Sequence, residues 1–153
     1  MAEEEAVIVG TAESSVWRTH YSAAKLVDGL GLDGIFENEF GCAHTNHSSL
    51  EWFSLELQAS QKITRVQIAN RVLMYTLERM SDRMKNVRIT IGPSEVYDPN
   101  EPLCLPEIPK LGNNPGLQDY FCTGYLHEGK FVKISRAGML NICEVKVFTQ
   151  QGE

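Results

Sequence analysis

The chain has 153 residues, a formal net charge of −6, 42% hydrophobic residues and 22% charged residues. This length suits one domain with a full-sized core, and the composition is typical of a globular protein. The acidic balance argues against nucleic acid as the main partner, because neutralising phosphates requires a basic surface. No apolar run approaches the roughly 20 residues of a membrane-spanning helix, and the acidic start does not resemble a signal peptide.

Short segments rich in Val, Ile, Phe and Tyr, most of them alternating with polar residues, predict strands along most of the chain. These segments are EAVIVG (5–10), EWFSLELQ (51–58), ITRVQIAN (63–70), NVRITIG (86–92), YFCTGYL (120–126), KFVKISR (130–136) and NICEVKVFTQ (141–150). Short strands at fairly even spacing are typical of an antiparallel β-sandwich. We therefore predict an all-β domain over residues 6–153, preceded by a disordered segment over residues 1–5.

Two segments carry helix signals. SAAKLVDG (22–29) has a candidate cap in Ser22 and a candidate stop in Gly29. MYTLERMSDRMKN (74–86) is compatible with one or two helical turns. Residues 92–116 are rich in Pro and Gly, which predicts an extended loop that a disulfide bond could tie down.

The four cysteines are widely spaced and form no C-x-x-C motif, so zinc and thioredoxin-like readings are weak. An even number of cysteines in a loop-rich chain favours disulfide bonds and an oxidising compartment, although four buried free thiols are the alternative. On the residues alone, three pairings remain open. The sequon at Asn46 is compatible with secretion, but such triplets are common by chance.

The sequence contains no G-x-S-x-G, H-E-x-x-H, P-loop or dinucleotide-binding motif. His44 and His47 would suit a metal on a helix, but their stretch is polar and shows no helix signal. For His47 we favour an exposed loop position. We therefore do not expect an enzyme.

A binding module is better supported by the cations that follow residue 70. Arg71, Arg79 and Arg83 lie between two predicted strands, and Arg88 lies within the second of them. Arginine offers a planar fork of donors and neutral histidine offers a donor and an acceptor, which together suit a hydroxylated ligand such as a sugar. The alternative is that the arginines are solvated, or paired with Glu78 and Asp82.

Nearly the whole chain resembles the F-type lectins, the fucose-binding family typified by eel agglutinin. The opening VGTAESSVW…AAKLVDG, the strand EWFSLEL and the ending FVKISRAGMLNICEVKVF match the family pattern in order. His44 and Arg71 are separated by 26 residues, as in the family motif, and Arg71 follows Asn70. The resemblance implies a jelly-roll sandwich of the galactose-binding-domain type with short helical turns. It also implies non-covalent binding of terminal L-fucose.

The resemblance also implies site residues. For the sugar these are His44, Arg71 and Arg83, with Arg79 as a competitor for the second arginine, and with Tyr75, Phe36 and Phe40 as candidates to line the pocket. For a structural calcium ion they are the carboxylates of Asp28 and Glu144 and backbone oxygens at or near Cys143, Lys25, Leu30 and Gly41. For disulfides the implied pairs are Cys42 with Cys143 and Cys104 with Cys122.

The loops expected to set specificity depart from the family. Leu73 stands where the family has Asp, the adjacent cysteine pair is absent, and the segment from Arg71 to Arg83 is longer. LDGIFENEF (32–40) is also longer. The same fold with another sugar or a protein partner is therefore the alternative. We expect a secreted protein that binds fucosylated glycans weakly at each site and gains avidity as a homo-oligomer, with roles in innate immunity or cell recognition compatible with the family.

Overall fold

The computed structural model describes residues 3–19, 21–31, 41–71, 83–112, 114, 116–124 and 127–150. These ranges contain nine β-strands and one 3₁₀ helix, and every strand pairing among them is antiparallel. The strands are β1 (Glu3–Glu5), β2 (Ile8–Glu13), β3 (Ala43–His44), β4 (Glu51–Asn70), β5 (Lys85–Gly92), β6 (Ile108–Lys110), β7 (Leu117–Phe121), β8 (His127–Arg136) and β9 (Asn141–Gln150), and the 3₁₀ helix spans Ala23–Val27.

Strand β4 joins the two layers of the sandwich. Its first part pairs with β2 and β8, and its last part pairs with β7 and β9. The register with β8 shifts between Glu56 and Gln61, which marks a bulge or irregularity in the pairing. Because one strand belongs to both layers, the sheet curls into an antiparallel β-sandwich, in agreement with the predicted fold class.

The core lies between the layers and is built from matching positions on neighbouring strands. Phe53 of β4 lies opposite Ile134 of β8, which lies opposite Ile89 of β5. All three side chains are buried. Each such burial contributes about 1.5–3 kcal/mol, so the alternation that predicts these strands also supplies most of their stability.

The opposite face of β8 is covered by the loop between β5 and β6. Lys133 is fully buried there, and its Nζ donates to the Glu101 carboxylate at 2.7 Å and to the Val96 carbonyl at 2.7 Å. The Cys104–Cys122 disulfide ties the same loop to the end of β7. The loop is therefore fixed against the sheet by an ion pair and a covalent bond.

Several sequence predictions need correction. Residues 3–5 are not disordered, because β1 pairs with β9 from Glu3 to Glu5. EAVIVG is not one strand, since the chain leaves the β9 edge after β1 and joins β4 as β2. Segment 22–29 forms only a short 3₁₀ helix, and the Ser22 side chain makes no capping hydrogen bond.

Two further points concern helices. Most of the second helical candidate, residues 74–86, lies outside the described residues. Within the described part of the chain, no helix is long and apolar enough to cross a membrane.

Candidate functional site

Two arginines meet at one end of the sandwich on a single amide oxygen. Arg71 follows the last residue of β4, Arg83 precedes β5, and Asn141 begins β9. Arg83 Nη2 donates to Asn141 Oδ1 at 2.7 Å, and Arg71 Nη1 donates to the same oxygen at 3.3 Å. Arg71 is only 2% exposed. The shared acceptor therefore holds the two guanidinium groups in a fixed relation to each other.

The orientation of Asn141 is set by its other amide atom. Asn141 Nδ2 donates to the Ala43 carbonyl at 3.0 Å. A carbonyl oxygen can only accept, so this bond directs the amide nitrogen to β3 and the amide oxygen to the arginines. Strand β3 pairs with β9 so that His44 lies opposite Asn141. The same residue thus brings His44 into the neighbourhood of both arginines.

The His44 ring is held rigidly. It is 4% exposed, and its Nδ1 lies 2.7 Å from the Thr45 carbonyl, so Nδ1 carries the hydrogen. In the neutral ring, Nε2 is then an acceptor. The ring centroid lies 4.8 Å from that of Trp17 and 6.0 Å from that of Tyr21. Aromatic packing and one hydrogen bond therefore fix both the position and the tautomer of His44.

Asn141 thus contacts Arg71 and Arg83 directly and lies opposite His44 in the strand pairing, while a shared pocket and a role in binding a ligand stay predictions. The other predicted ligand contacts lie outside the described residues: Arg79, Tyr75, Phe36 and Phe40. The predicted alternative partners Glu78 and Asp82 also lie outside them. His47 is exposed, as expected, and its ring lies 6.1 Å from that of His44.

Sequence reasoning missed Asn141, Trp17 and Tyr21. The available signal for Asn141 was a polar residue at the first position of a strongly apolar strand, and that signal is weak. Trp17 and Tyr21 precede the 3₁₀ helix, and nothing in their local pattern indicates contact with His44. All three act by holding other side chains in place.

A second cluster of polar contacts, apart from that of Asn141 and the two arginines, surrounds Glu144 of β9. This residue is 3% exposed; its Oε2 accepts the Gly29 N–H at 3.1 Å and its Oε1 accepts the Gly31 N–H at 3.3 Å. Asp28 Oδ1 accepts the Leu30 N–H at 2.9 Å. The turn over residues 28–31 is therefore wrapped around a buried carboxylate.

The carboxylates of Glu144 and Asp28 repel each other at this turn. Burial raises the pKa of Glu144 to about 7, and the nearby Asp28 carboxylate adds to that rise. The hydrogen bonds from Gly29 and Gly31 and the charge of Lys146 oppose it. A bound divalent cation would offset the repulsion between the buried Glu144 carboxylate and the exposed Asp28 carboxylate.

The backbone beside Glu144 is shaped by a bulge. Successive β4 residues Ala69 and Asn70 pair with Glu144 and Ile142, so Cys143 is the extra residue of β9. The Cys143 carbonyl lies against Gly31, where an added Cβ would come within 2.1 Å of the oxygen. Only glycine fits at that approach, so a side chain at position 31 would displace the turn from β9.

The donors present fit calcium by their chemistry, because Ca²⁺ prefers carboxylate and carbonyl oxygens. Among the described residues, no group of three or more His, Cys, Asp or Glu side chains could hold a metal ion. A calcium ion here would therefore depend on backbone oxygens as well as on two carboxylates. Of the residues predicted to supply those oxygens, Lys25 lies in the 3₁₀ helix, Leu30 lies in the turn and the Cys143 carbonyl lies against Gly31. Gly41 precedes Cys42, which is disulfide-bonded to Cys143.

Both implied disulfides are present, Cys42–Cys143 and Cys104–Cys122. The first joins the residue before β3 to the bulge in β9, between Asn141 and Glu144. It therefore ties the His44 strand directly to the segment that carries both polar groups.

No protein-family model matches the sequence, and no curated protein sequence matches it significantly. Among solved structures, the chain is similar to an F-lectin (fucolectin) from the serum of striped bass, Morone saxatilis, with a TM-score of 0.74 and 23% identity. The match covers 94% of this chain and 46% of the bass lectin chain. The chain thus spans about half the length of that lectin.

Two further modules give similar matches over nearly their whole length. A fucose binding module of Streptococcus pneumoniae has a TM-score of 0.64 and 25% identity, covering 93% of this chain and 94% of that module. The lectin domain of lectinolysin, in complex with Lewis B antigen, has a TM-score of 0.68 and 19% identity, covering 93% of both chains. The protein therefore has an F-type lectin-like fold, as its sequence resemblance predicted.

Proposed function

We propose that this protein is a lectin that binds terminal L-fucose on glycans without chemical turnover, through His44, Arg71 and Arg83. The observation that carries the proposal is the sharing of one Asn141 oxygen by two arginines beside a rigid histidine. Guanidinium groups donate to hydroxyl and ring oxygens, and neutral imidazole accepts from a hydroxyl through Nε2. Because L-fucose is uncharged, the acidity of the chain is no obstacle.

Rigidity of these groups favours binding. A long side chain that is already held in one orientation loses little conformational entropy when a ligand binds. Arg71 and Arg83 are held by Asn141, and His44 is held by its aromatic neighbours. The fold likeness to a fucolectin and to a fucose binding module supports the same ligand class.

Calcium is the second part of the proposal. Asp28 and Glu144 would supply carboxylate oxygens, and the carbonyl of Cys143 and backbone oxygens at Lys25, Leu30 and Gly41 would complete the site. The bound ion would neutralise the two carboxylates and fix the turn over residues 28–31 against β9. Its role is structural, since the proposed function involves no reaction.

The disulfides favour an oxidising compartment, and we propose a secreted location. A single site of this kind would bind with a Kd in about the micromolar to millimolar range. Useful avidity would come from a homo-oligomer on multivalent glycans, as in innate immunity or cell recognition.

The test is calorimetric titration with L-fucose in calcium. Wild type should give saturable heat, and Arg71→Lys should lose most of it, because lysine keeps the charge but not the planar fork. Arg65→Lys is the matched control: it makes the same change in β4, but Arg65 pairs with Glu3 and Asp119 and lies away from the site. A flat wild-type trace, or equal binding by the two variants, would contradict the proposal.

A second candidate is another sugar or a protein ligand on the same fold. The segment from Arg71 to Arg83 favours it, since that segment is longer than in the family and lacks the adjacent cysteines. A glycan array separates the two candidates, because fucosylated glycans should dominate the signal only under the first.

A further inference from the structure

A separate cleft of about 280 Å³ lies on the outer face of the sheet, where β5 and β8 run side by side. Arg88 of β5 lies opposite Ser135 of β8, and both line the cleft. Tyr97, Glu107 and Arg136 also line it. His44, Arg71 and Arg83 do not belong to this lining, so the cleft is distinct from the proposed fucose site.

Buried polar contacts set one wall of the cleft. The next pair along the same face is Thr90 with Lys133. Lys133 donates to the carbonyl of Val96, the residue before Tyr97, and to the Glu101 carboxylate. These bonds hold the loop against the sheet and so place the half-buried Tyr97 ring beside Arg88. The wall is therefore part of the fixed structure.

The lining of the cleft has more positive than negative side chains. The side chain of Arg88 makes no hydrogen bond or ion pair with any residue that the structure describes. Among the described residues, the Arg136 side chain donates only to neutral backbone carbonyls, those of Lys85 and Met139. Glu107 is exposed and forms no ion pair with a described residue. Two guanidinium groups therefore face one unpaired carboxylate, although the whole chain has a net charge of −6.

The floor of the cleft has a further unmet polar group. Ser135 is 1% exposed, and its hydroxyl has no hydrogen-bond partner among the described residues. A buried hydroxyl without a partner costs free energy that a ligand or water could recover. Burial also lowers the pKa of Arg136, which is consistent with a cation that lacks a counter-charge.

We propose that this cleft binds the anionic group of an acidic sugar, a carboxylate or a sulfate ester. Arg88 is the main contact, because a guanidinium group binds such groups through two parallel hydrogen bonds. Tyr97 offers an aromatic surface to the apolar side of the sugar ring. The volume of about 280 Å³ lies just below the range of about 300–1,000 Å³ for ligand pockets, which suits one sugar unit.

The proposal goes beyond fucose binding and does not depend on it. Its ligand is charged, whereas L-fucose is neutral, and the two sets of contacts share no residue. Either site can be occupied alone, so the two proposals can fail independently.

The test is a nuclear magnetic resonance titration of the full chain with three probes: D-glucuronate, D-glucose 6-sulfate and, as the neutral control, D-glucose. At least one anionic probe should give saturable shifts at Arg88, Tyr97 and Ser135, and raising the salt concentration should weaken its binding. D-glucose should give none. The two anionic probes separate a carboxylate site from a sulfate site.

Arg88→Gln should lower the affinity for the anionic probe about tenfold or more, as expected for loss of a charged hydrogen-bonded pair. Lys130→Gln is the matched control: it removes the same charge from β8, near the far end, where Lys130 pairs with Glu56. It should change binding by less than about twofold. L-fucose, titrated into the same samples, should bind both variants equally.

Three results would overturn the proposal. They are no saturable shift at these residues with either anion, equal shifts with D-glucose, and equal weakening by Arg88→Gln and Lys130→Gln. The fucose titration reports on the other site. Failure of wild type to bind L-fucose would therefore not contradict the proposed anion site in the cleft. Circular dichroism of both variants shows that the fold is retained.

Discussion

Asn141 is the residue on which the arrangement of the two arginines depends, so its replacement by alanine is the sharpest test. Asn141→Ala removes a hydrogen bond from Arg83 at 2.7 Å, a longer one from Arg71 at 3.3 Å, and the donor to Ala43 at 3.0 Å. A bond from a charged donor is worth about 1.5–3 kcal/mol, a long one less, and a neutral one about 0.5–1.5 kcal/mol. We expect Asn141→Ala to lower the free energy of unfolding by about 3–5 kcal/mol.

For a domain of this size, each kcal/mol lowers Tm by about 2–4 °C, so Tm should fall by about 6–20 °C. Urea denaturation and calorimetry measure both quantities. The same variant should lose L-fucose binding, because both guanidinium groups lose their shared acceptor. Asn141→Asp is the informative partner: it keeps an acceptor for the arginines but loses the donor to Ala43. Asn141→Asp should lower the free energy of unfolding by only about 1–2 kcal/mol and should retain more L-fucose binding than Asn141→Ala.

The refuting result is specific. A double-mutant cycle between Asn141→Ala and Arg83→Gln should give a coupling energy well above about 0.5 kcal/mol, the scatter expected of independent sites. A coupling below that limit would mean that the amide does not hold the arginine. Equal effects of Asn141→Ala and Asn141→Asp would lead to the same conclusion.

Three further changes test other parts of the structure. Lys133→Met leaves the Glu101 carboxylate buried without its cation and should lower the unfolding free energy by about 3–5 kcal/mol in urea. Replacing Cys104 and Cys122 together by serine opens a loop with a sequence separation of 18 and should cost about 3 kcal/mol in the same assay. Calcium should raise the Tm of wild type relative to EDTA, and Glu144→Gln should reduce that rise, because a proposed ligand becomes neutral.

Each of these expectations has a contrary outcome. Unchanged stability of Lys133→Met would mean that the Glu101 carboxylate reaches water in the folded protein. Unchanged stability of the double serine variant would mean that loop closure contributes nothing to the fold. An undiminished calcium response in Glu144→Gln would remove Glu144 from the proposed site, and Glu56→Gln, which neutralises a carboxylate elsewhere on the sheet, is the control.

Local patterns predicted the strands well because side chains on a strand alternate between two faces. Val145 and Val147 are buried on one face of β9, as their spacing predicts. The polar segment at residues 59–62 was read as a break between two strands, but β4 runs through it. Pairing of Gln61 with Gly129 of β8 keeps that segment extended, and this tertiary contact leaves no mark on the local sequence.

The candidate site was less accessible to sequence reasoning. The resemblance identified Arg71 and Arg83, yet Asn141 accepts from them across 70 and 58 residues of chain. Glu144 shows a similar gap, since its place in an alternating strand gives no sign that its carboxylate is buried. It is 3% exposed because the turn that carries Gly29 and Gly31 covers it. In both cases the environment of the side chain is set by contacts between segments that are distant in sequence, which a local pattern does not reveal.

The Cys42–Cys143 disulfide has a thermodynamic consequence for the two proposed activities. Asn141 lies two residues before Cys143 and Glu144 one residue after it, while His44 lies two residues after Cys42. An ion that orders one side of this cross-link therefore acts on the segment that holds the other side. By reciprocity, any free energy that calcium adds to fucose binding is the free energy that fucose adds to calcium binding. Under the proposed function, the cross-link would couple the two proposed ligand sites within a single small domain.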